Sequence, residues 1–229
     1  MKYRHEWKFN VSDSELTMIN NKISRLLSYD EHINNNGIYF IHSLYFDDYA
    51  NTCMKDNDAG VNKRYKWRIR YYNNNLDYIC LERKEKNNGL TRKKMCQISM
   101  NEYINIINNN MFEVFWNTNY ELLKEFCFDI STRLFRPKII IDYERCAFVE
   151  PICNIRITFD KSITASKEVD KFLIGNYTKT PIQNINENIM EVKFDDILPS
   201  HIKQATYLNS LEQITFSKYY LGRSMLERS

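Results

Sequence analysis

Apolar and cationic residues alternate one by one over six positions of the chain, in the run Tyr65-Lys66-Trp67-Arg68-Ile69-Arg70. Successive side chains of a β-strand point to opposite faces of the sheet, and those on one face are about 6.6 Å apart. Lys66, Arg68 and Arg70 therefore form a cationic row opposite an apolar face. An apolar core cannot absorb such a row, because buried unpaired charge is very unfavourable. The cationic face must lie either in water or in a wet cavity that holds anions.

At least five predicted strands carry charge at alternate positions in this way. The charged positions are Arg4, Glu6 and Lys8; Lys66, Arg68 and Arg70; Glu82 and Lys84; Arg156; and Glu191 and Lys193. The opposite faces are apolar, so helices that cover them would turn the charged faces inward, into the lumen of a barrel. About eight strands enclose a lumen wide enough for side chains or one small ligand. Salt-bridge ladders on a solvated outer face fit the same alternation.

The wider pattern predicts an α+β fold in a single domain over residues 1–229, since no repeat or linker divides the chain. Strands are predicted over residues 3–10, 38–46, 64–72, 78–86, 91–98, 138–148, 154–160 and 189–195. Capping boxes at Ser12-x-x-Glu15 and Ser99-x-x-Glu102 open two helices, and a further helix is predicted over 114–130. A closed antiparallel β-barrel of about eight strands with helices packed outside is the simplest solution, because closure removes exposed sheet edges.

Total charge and cysteine spacing narrow the range of functions. A net charge of +3, from 32 basic and 29 acidic residues, is too small for a protein that coats nucleic acid. The aromatic residues fall on the apolar faces, where they cannot easily stack on bases, so no nucleic-acid partner is expected. The 6 cysteines form no C-x-x-C pair and no zinc-like spacing with histidine, which favours reduced thiols and a cytoplasmic location. No run approaches the ~20 apolar residues of a transmembrane helix.

Eight segments occur in the order typical of one protein family. They are Arg4-His5-Glu6-Trp7-Lys8-Phe9, Ser43-Leu44-Tyr45-Phe46-Asp47, Arg68-Ile69-Arg70-Tyr71, Leu81-Glu82-Arg83-Lys84, Asp142-Tyr143-Glu144-Arg145, Arg156-Ile157-Thr158-Phe159-Asp160, Glu191-Val192-Lys193-Phe194 and Phe216-Ser217-Lys218-Tyr219. Together they resemble the VTC domain, the polyphosphate polymerase domain of vacuolar transporter chaperone complexes and their bacterial relatives. The resemblance covers essentially the whole chain. It implies the closed antiparallel β-tunnel of the triphosphate tunnel metalloenzyme, or CYTH-like, superfamily.

The resemblance also implies an activity, in which the γ-phosphate of ATP is transferred onto a growing polyphosphate chain with Mn²⁺ or Mg²⁺. The cations that would bind phosphates and act in catalysis are Lys8, Arg68, Arg70, Lys84, Arg145, Arg156 and Lys218. Ser217 would bind nucleotide phosphates beside Lys218, and Glu191 would bind the metal. Strand parity adds Lys66 and Lys193 to the substrate-binding set. Such a site suits phosphoryl transfer, which needs alignment and charge neutralisation more than a covalent nucleophile.

The first strand departs from the wider superfamily. Its hydrolases typically begin with Glu-x-Glu-x-Lys, whose paired carboxylates hold a metal that activates water, whereas this chain has Arg4-x-Glu6-x-Lys8. Arg4 replaces an oxygen ligand with a group that binds phosphate, which favours phosphate transfer or binding over hydrolysis. Glu6 is a second metal ligand or a structural partner of a nearby cation. A membrane-protein partner is expected if the product is exported or stored behind a membrane.

Two other functions fit the same residues: a triphosphate hydrolase of this superfamily, and a non-catalytic module that binds polyphosphate or nucleotides. Arg68→Ala and Arg70→Ala are each expected to cripple turnover while leaving the fold intact or even more stable, because like charges would crowd an empty lumen. Tyr143 is expected in the core rather than in catalysis.

Overall fold

The computed structural model describes residues 2–31 and 37–228. The strands are β1 (His5–Ser12), β2 (Ser28–Tyr29), β3 (Tyr39–Asp47), β4 (Lys63–Tyr72), β5 (Asn75–Asn87), β6 (Leu90–Ile98), β7 (Arg136–Glu150), β8 (Ile155–Ser166), β9 (Thr180–Pro181) and β10 (Glu187–Phe194). The α-helices are α1 (Asp13–Ile23), α2 (Thr52–Asp58), α3 (Met100–Ile107), α4 (Met111–Asn117), α5 (Glu121–Arg133), α6 (Ser200–Ala205) and α7 (Lys218–Arg228). Both predicted capping boxes are present, at the starts of α1 and α3. Within the described residues, no helix combines the length and apolar character needed to cross a bilayer.

Eight of the strands form one antiparallel sheet in the order β1-β10-β8-β7-β3-β4-β5-β6. The two short strands lie beside it, β2 against β7 and β9 against β8. The sheet curls until its edges meet, since Arg4 and Thr91 form an antiparallel bridge with two backbone hydrogen bonds of 2.9 Å. The predicted antiparallel tunnel is confirmed. Its two edges are joined by this single bridge, whereas β1 and β6 do not pair along their length.

The register turns the charged positions of the strands toward the inside of the curl. Lys8 lies opposite Glu191 on β10, and Arg145 on β7 lies opposite Asp160 on β8. The residues between them point outward, into two apolar clusters under the helices. Helices α1 and α6 pack over β1, β8 and β10, while α3 and α5 pack over the half of the sheet that contains β5 and β6. Helices therefore cover the outside of the tunnel, as predicted.

One predicted helix is interrupted. The stretch predicted as a single helix over 114–130 consists of α4 and α5, which residues 118–120 separate. Thr118 is extended, with φ −96° and ψ 142°, and its hydroxyl accepts a hydrogen bond of 3.2 Å from the backbone N–H of Tyr120. Asn and Thr side chains compete for backbone hydrogen bonds and so favour helix ends. The spacing of apolar residues predicted one helix because it contains no information about hydrogen bonds between side chains and the backbone.

The C-terminal segment forms α7, which the sequence pattern did not predict. It packs against the same face of β7 that carries Arg145, near the end of the tunnel where β7 begins. Gly222 allows this close packing, because a Cβ at this position would lie 2.7 Å from Ile141 Cδ1 and 3.0 Å from Ile139 Cδ1, and the two isoleucine side chains would have to shift. The close approach of α7 brings Lys218, its first residue, into the tunnel.

Candidate active site in the tunnel

Ten of the thirteen residues predicted for the site line one small cavity inside the curled sheet. They are Lys8, Lys66, Arg68, Arg70, Lys84, Arg145, Glu191, Lys193, Ser217 and Lys218. Tyr45 and Tyr143 complete the lining. The free volume is about 50 Å³, which is room for a few water molecules, because the charged side chains fill most of the lumen with contacts among themselves.

Glu82 is fully buried and is the shared counter-charge of the two arginines of β4. Its carboxylate accepts a hydrogen bond from Arg68 Nε at 2.6 Å and lies 3.8 Å from Arg70 Nη1. Lys93 on β6 donates to the same carboxylate at 3.0 Å. Burial alone would raise the pKa of Glu82, but Arg68 and Arg70 outweigh burial and hold that pKa well below its ordinary value. The carboxylate therefore stays ionised.

A second cluster of ion pairs forms where β7, β8, β10 and α7 meet. Arg145 donates to both oxygens of Asp160, from Nε at 2.5 Å and from Nη2 at 2.7 Å, which is the bidentate geometry of strong pairs. Lys218 Nζ lies 2.5 Å from Asp160 and 3.6 Å from Glu191. Glu191 also accepts a hydrogen bond of 2.7 Å from Lys193. Acids of two strands thus hold the lysine that α7 delivers.

Glu6 on β1 joins this cluster to β5. Its carboxylate accepts hydrogen bonds of 2.6 and 2.8 Å from Lys84 Nζ, and it lies 3.5 Å from Lys8 and 3.9 Å from Lys193. Lys8 and Lys193 also contact Glu191, at 3.5 and 2.7 Å. The carboxylates of Glu6 and Glu191 therefore share the same two ammonium groups.

Cations outnumber carboxylates in this lumen. Eight cationic side chains line the cavity, whereas the carboxylates in contact with them are Glu6, Glu82, Asp160 and Glu191. With every group ionised, four positive charges stay uncompensated, and a multivalent anion would neutralise them. The structure modifies the expectation that like charges crowd the lumen, because carboxylates offset half of them.

Lys66 and Tyr45 are two groups of the lumen whose pKa values are lowered to about 7. Lys66 Nζ donates to Ser217 Oγ at 3.2 Å, and no carboxylate of the described residues forms an ion pair with it. Burial, aided by neighbouring cations, lowers the pKa of Lys66 to about 7. Tyr45 accepts a hydrogen bond of 2.9 Å from Arg68. Burial would raise the pKa of Tyr45, but the charges of Arg68 and Lys66 outweigh burial and lower that pKa to about 7.

The affinity for tripolyphosphate is therefore expected to fall about tenfold as the pH rises from about 6 to about 8. Deprotonation of Lys66 removes a positive charge, and ionisation of Tyr45 adds a negative one. Lys193, whose pKa burial lowers to about 8, acts in the same direction at the upper end. Titration calorimetry at each pH should compare the wild type with Lys66→Arg, which keeps its charge. The variant should lose part of the pH dependence, and identical profiles for both proteins would contradict the role of Lys66.

Arg4 and Arg156 lie outside the lining of the cavity. Arg156 Nη1 pairs with Asp30 at 2.6 Å. Arg4 donates to the backbone carbonyl of Asn154, and its Nε lies 3.7 Å from Asp195. These partners hold both side chains away from the cavity, so their contact with substrate stays a prediction.

The predicted metal ligands are Glu191 and Glu6. In the part of the chain that the structure describes, no group of three or more His, Cys, Asp or Glu side chains could hold a metal ion. Mg²⁺ in proteins is usually bound by one or two carboxylates together with substrate phosphates and water. Glu6 and Glu191 supply hard oxygen donors beside the cations that would bind such phosphates. The donor set therefore fits an ion that is shared with the phosphates of a nucleotide.

Several residues of the site were missed from the sequence. Tyr143, expected in the core, is 4% exposed, but its hydroxyl accepts a hydrogen bond of 2.9 Å from Arg70. The hydroxyl of Thr158 is buried opposite Glu191 and has no hydrogen-bond partner among the described residues. Asp160 is the main counter-ion of Arg145. Thr158 and Asp160 follow Arg156 at intervals of two residues, so all three lie on the same face of β8. This spacing could have predicted both residues from the sequence.

Fold and site together define a class of protein in which a curled antiparallel sheet concentrates cations on its inner face for a polyanion. The model of one family, the VTC domain, matches residues 3–227 of the chain. The chain therefore belongs to the VTC domain family. Comparison with curated proteins gave no match.

Solved structures with similar topology are distant in sequence. A candidate adenylate cyclase from Bacillus halodurans has 13% identity and a TM-score of 0.49, over 95% of this chain and 96% of its own. The PH1819 protein from Pyrococcus horikoshii has 13% identity and a TM-score of 0.47, over 99% of this chain and 100% of its own. Scores this low carry no argument about function.

Proposed function

We propose that this chain is an ATP-dependent polyphosphate polymerase, which transfers the γ-phosphate of ATP to the end of a polyphosphate chain. One observation carries the proposal: eight cationic side chains converge on a single buried cavity with only four carboxylates among them. A chain of phosphates is a ligand of matching charge and shape. Membership of the VTC domain family supports the same activity.

Substrate binding would exchange carboxylate partners for phosphate oxygens. Arg68 and Arg70 can each bind two oxygens with a planar guanidinium, whereas Lys84 supplies a point charge. Glu82 positions Arg68, and the hydroxyls of Ser43 and Tyr143 position Arg70, before the substrate arrives. Cations held in this way lower the barrier to reaction, because they need no reorientation when charge moves in the transition state.

The transfer needs no covalent intermediate with the protein. A terminal oxygen of the polyphosphate chain forms the new bond to the γ-phosphorus, the bond from that phosphorus to the bridging oxygen of the β-phosphate breaks, and ADP leaves. Lys66, Ser217 and Lys218 would hold the nucleotide phosphates. When bound, Mn²⁺ or Mg²⁺ held by Glu191 and Glu6 would neutralise part of the phosphate charge.

The sequence at the start of the chain favours transfer over hydrolysis. Arg4 stands where the hydrolases of the superfamily carry the first of two metal-binding carboxylates, which leaves Glu6 as the one acid of that row. A metal ion that activates water for hydrolysis would therefore have one carboxylate ligand fewer. ATP and inorganic polyphosphate are the proposed partners, in the cytoplasm, together with a membrane protein if the product crosses a membrane.

Incubation of the purified protein with ATP and Mn²⁺ tests the proposal. Long polyphosphate chains on a gel are the expected product. Release of orthophosphate alone would indicate a triphosphate hydrolase. Tight binding of ATP without turnover in Mn²⁺ or Mg²⁺ would indicate a binding module.

Glu191→Gln is expected to lower turnover and to raise the Mn²⁺ concentration for half-maximal rate by about tenfold or more, since the amide keeps the shape of Glu191 but loses its charge. Metal-free tripolyphosphate should bind more tightly to the variant, because Lys193 and Lys8 lose a counter-charge. Rates over a Mn²⁺ titration supply the measurement. Glu144→Gln is the control, since Glu144 lies on the outer face of β7. A lower rate with an unchanged Mn²⁺ requirement would contradict metal binding by Glu191 and would indicate that it acts only as a counter-ion of the lysines.

A further inference from the structure

Aromatic side chains cluster on the outer surface of α4 and α5, away from the tunnel lumen. On α4, Phe112 is 78% exposed and Trp116 is 68% exposed, and Phe115 lies between them at 36%. The Trp116 ring is 6.0 Å from the Phe112 ring and 5.5 Å from the Phe115 ring, so the three form one surface. Lys124 on α5 adjoins this surface, with its Nζ 6.0 Å from the centre of the Phe115 ring.

The surface continues along α5. Tyr120, the residue before the helix, and Phe128 lie four residues before and after Lys124, which places all three on one side of α5. Tyr120 is 51% exposed and Phe128 is 64% exposed. The opposite side of α5 packs on the sheet, where the Phe126 ring lies 4.9 Å from the Trp67 ring. The exposed set is here called the aromatic patch, and it consists of Phe112, Phe115, Trp116, Tyr120 and Phe128.

The aromatic patch is at or above the upper end of what a monomer exposes. The exposed fractions of its five residues together equal about three whole aromatic side chains, which is roughly 450–750 Å². The largest apolar patch on a typical monomer is about 300–600 Å² and often marks an interaction site. A stable protein interface buries about 800 Å² on each partner, part of which is a polar rim. The aromatic patch therefore has the size of the apolar part of such an interface.

The charges around the aromatic patch favour a second copy of the chain as the partner. A two-fold axis requires a surface that complements itself. The side chains of Lys124 and Glu121 are 33% and 83% exposed, so a two-fold arrangement can place each ammonium against the other copy's carboxylate. An anionic membrane would instead attract lysine and arginine, whereas the exposed acids Glu113 and Glu121 outnumber Lys124 here. A second copy therefore fits this surface better than a lipid surface does.

A partner on the aromatic patch would leave the phosphate-binding lumen untouched. Neither α4 nor α5 contributes a residue to the lining of the lumen. These helices lie outside the sheet, where Asp129 on α5 accepts hydrogen bonds of 2.8 and 2.7 Å from Tyr65 and Trp67 of β4. We propose that the chain forms a two-fold homodimer through the aromatic patch, with one separate tunnel in each copy. This inference does not depend on what the lumen binds.

Sedimentation equilibrium of the purified protein tests the homodimer. The wild type should reach twice the mass of one chain in the micromolar range. Trp116→Glu should weaken dimerisation at least about 30-fold, as is typical when an interface tryptophan is lost, and Phe112→Ser should act in the same direction. Circular dichroism and the Tm show whether each variant keeps its fold. Ile152→Glu is the matched control, because Ile152 is 92% exposed in the turn between β7 and β8, outside the aromatic patch.

Paired charge reversals test the two-fold arrangement itself. Lys124→Glu and Glu121→Lys should each weaken self-association about tenfold or more, because like charges then face each other across the axis. An equimolar mixture of the two variants should dimerise again, with the acidic variant bound to the basic one. The ion pair within one chain, at 3.3 Å, cannot explain such a recovery, because each variant has lost it.

Three results would overturn the homodimer. The first is a wild type that stays monomeric throughout the micromolar range. The second is a dimer that both Trp116→Glu and Phe112→Ser leave unchanged, or that the mixture of charge variants does not restore. The third is a monomer that binds vesicles of phosphatidylserine and phosphatidylcholine and loses this binding in Trp116→Glu, which would make the aromatic patch a membrane contact.

Discussion

Arg70→Ala is expected to lower the rate of polyphosphate synthesis by about 10²–10³-fold, the loss typical of removing one preorganised group that stabilises transition-state charge. Arg70 is 3% exposed and lines the lumen. Its guanidinium donates to the hydroxyls of Ser43 and Tyr143 at 3.0 and 2.9 Å, whereas Glu82 is 3.8 Å away. Because its hydrogen bonds go to neutral hydroxyls and its carboxylate partner lies at the longer distance, much of the charge of Arg70 is available to a phosphate.

The same substitution should change stability little. The two hydroxyls lose one donor but can bind water in the enlarged lumen, so the expected change in Tm is about 2–4 °C, equivalent to about 1 kcal/mol. Calorimetry and initial rates on the same preparations supply the measurement. Arg70→Lys should recover part of the rate, and Arg25→Ala, at an exposed position after α1, should have no effect. Parallel losses of stability and activity would indicate a structural role for Arg70.

Arg68 is a less selective probe than Arg70, although both belong to one cationic row. Its guanidinium contacts Glu82 at 2.5 and 2.6 Å, so removing it leaves a buried carboxylate short of its closest partner. The sequence-based expectation that either alanine variant keeps or gains stability therefore holds better for Arg70. The alternation along β4 could not distinguish the two arginines, because the distance to Glu82 depends on side-chain packing across β5.

Strand alternation was sufficient to predict much of the site. Lys66, Arg68 and Arg70 all line the lumen, as their spacing indicated, because the period of two is a local property of any strand. The capping boxes at Ser12 and Ser99 were equally readable, since their hydrogen bonds span three residues. What these features share is that neighbouring residues alone produce them.

Features that depend on distant segments were not predictable in the same way. The pairing of β1 with β10 joins residues more than 170 positions apart, and no local pattern encodes it. Asp160 became visible as the partner of Arg145 only through the register of β7 and β8. The role of α7 likewise depends on the close approach of Gly222 to the inner face of β7. The counter-ions of the lumen and the position of α7 depend on tertiary structure, so local sequence patterns do not predict them.

Glu82→Gln is expected to lower the free energy of unfolding by about 3–5 kcal/mol at neutral pH, as is typical when one partner is removed from a buried ion pair. Glu82 is fully buried, and glutamine keeps its volume but leaves Arg68, Arg70 and Lys93 without its charge. Urea unfolding of both proteins measures the loss. Glu125→Gln is the control, because Glu125 is 39% exposed in its pair with Lys94 and should contribute at most about 1 kcal/mol.

Two conditions should narrow the stability gap between Glu82→Gln and the wild type. Tripolyphosphate supplies negative charge to the lumen and should therefore stabilise the variant more than the wild type. Acid should narrow the gap as well. Although burial alone would raise the pKa of Glu82, Arg68 and Arg70 depress it in the folded protein, so its stabilising contribution is present above the ordinary value of 4.5 and is lost as the pH falls further. A gap that neither tripolyphosphate nor acid changes would mean that Glu82 acts through packing rather than as the counter-charge of the lumen.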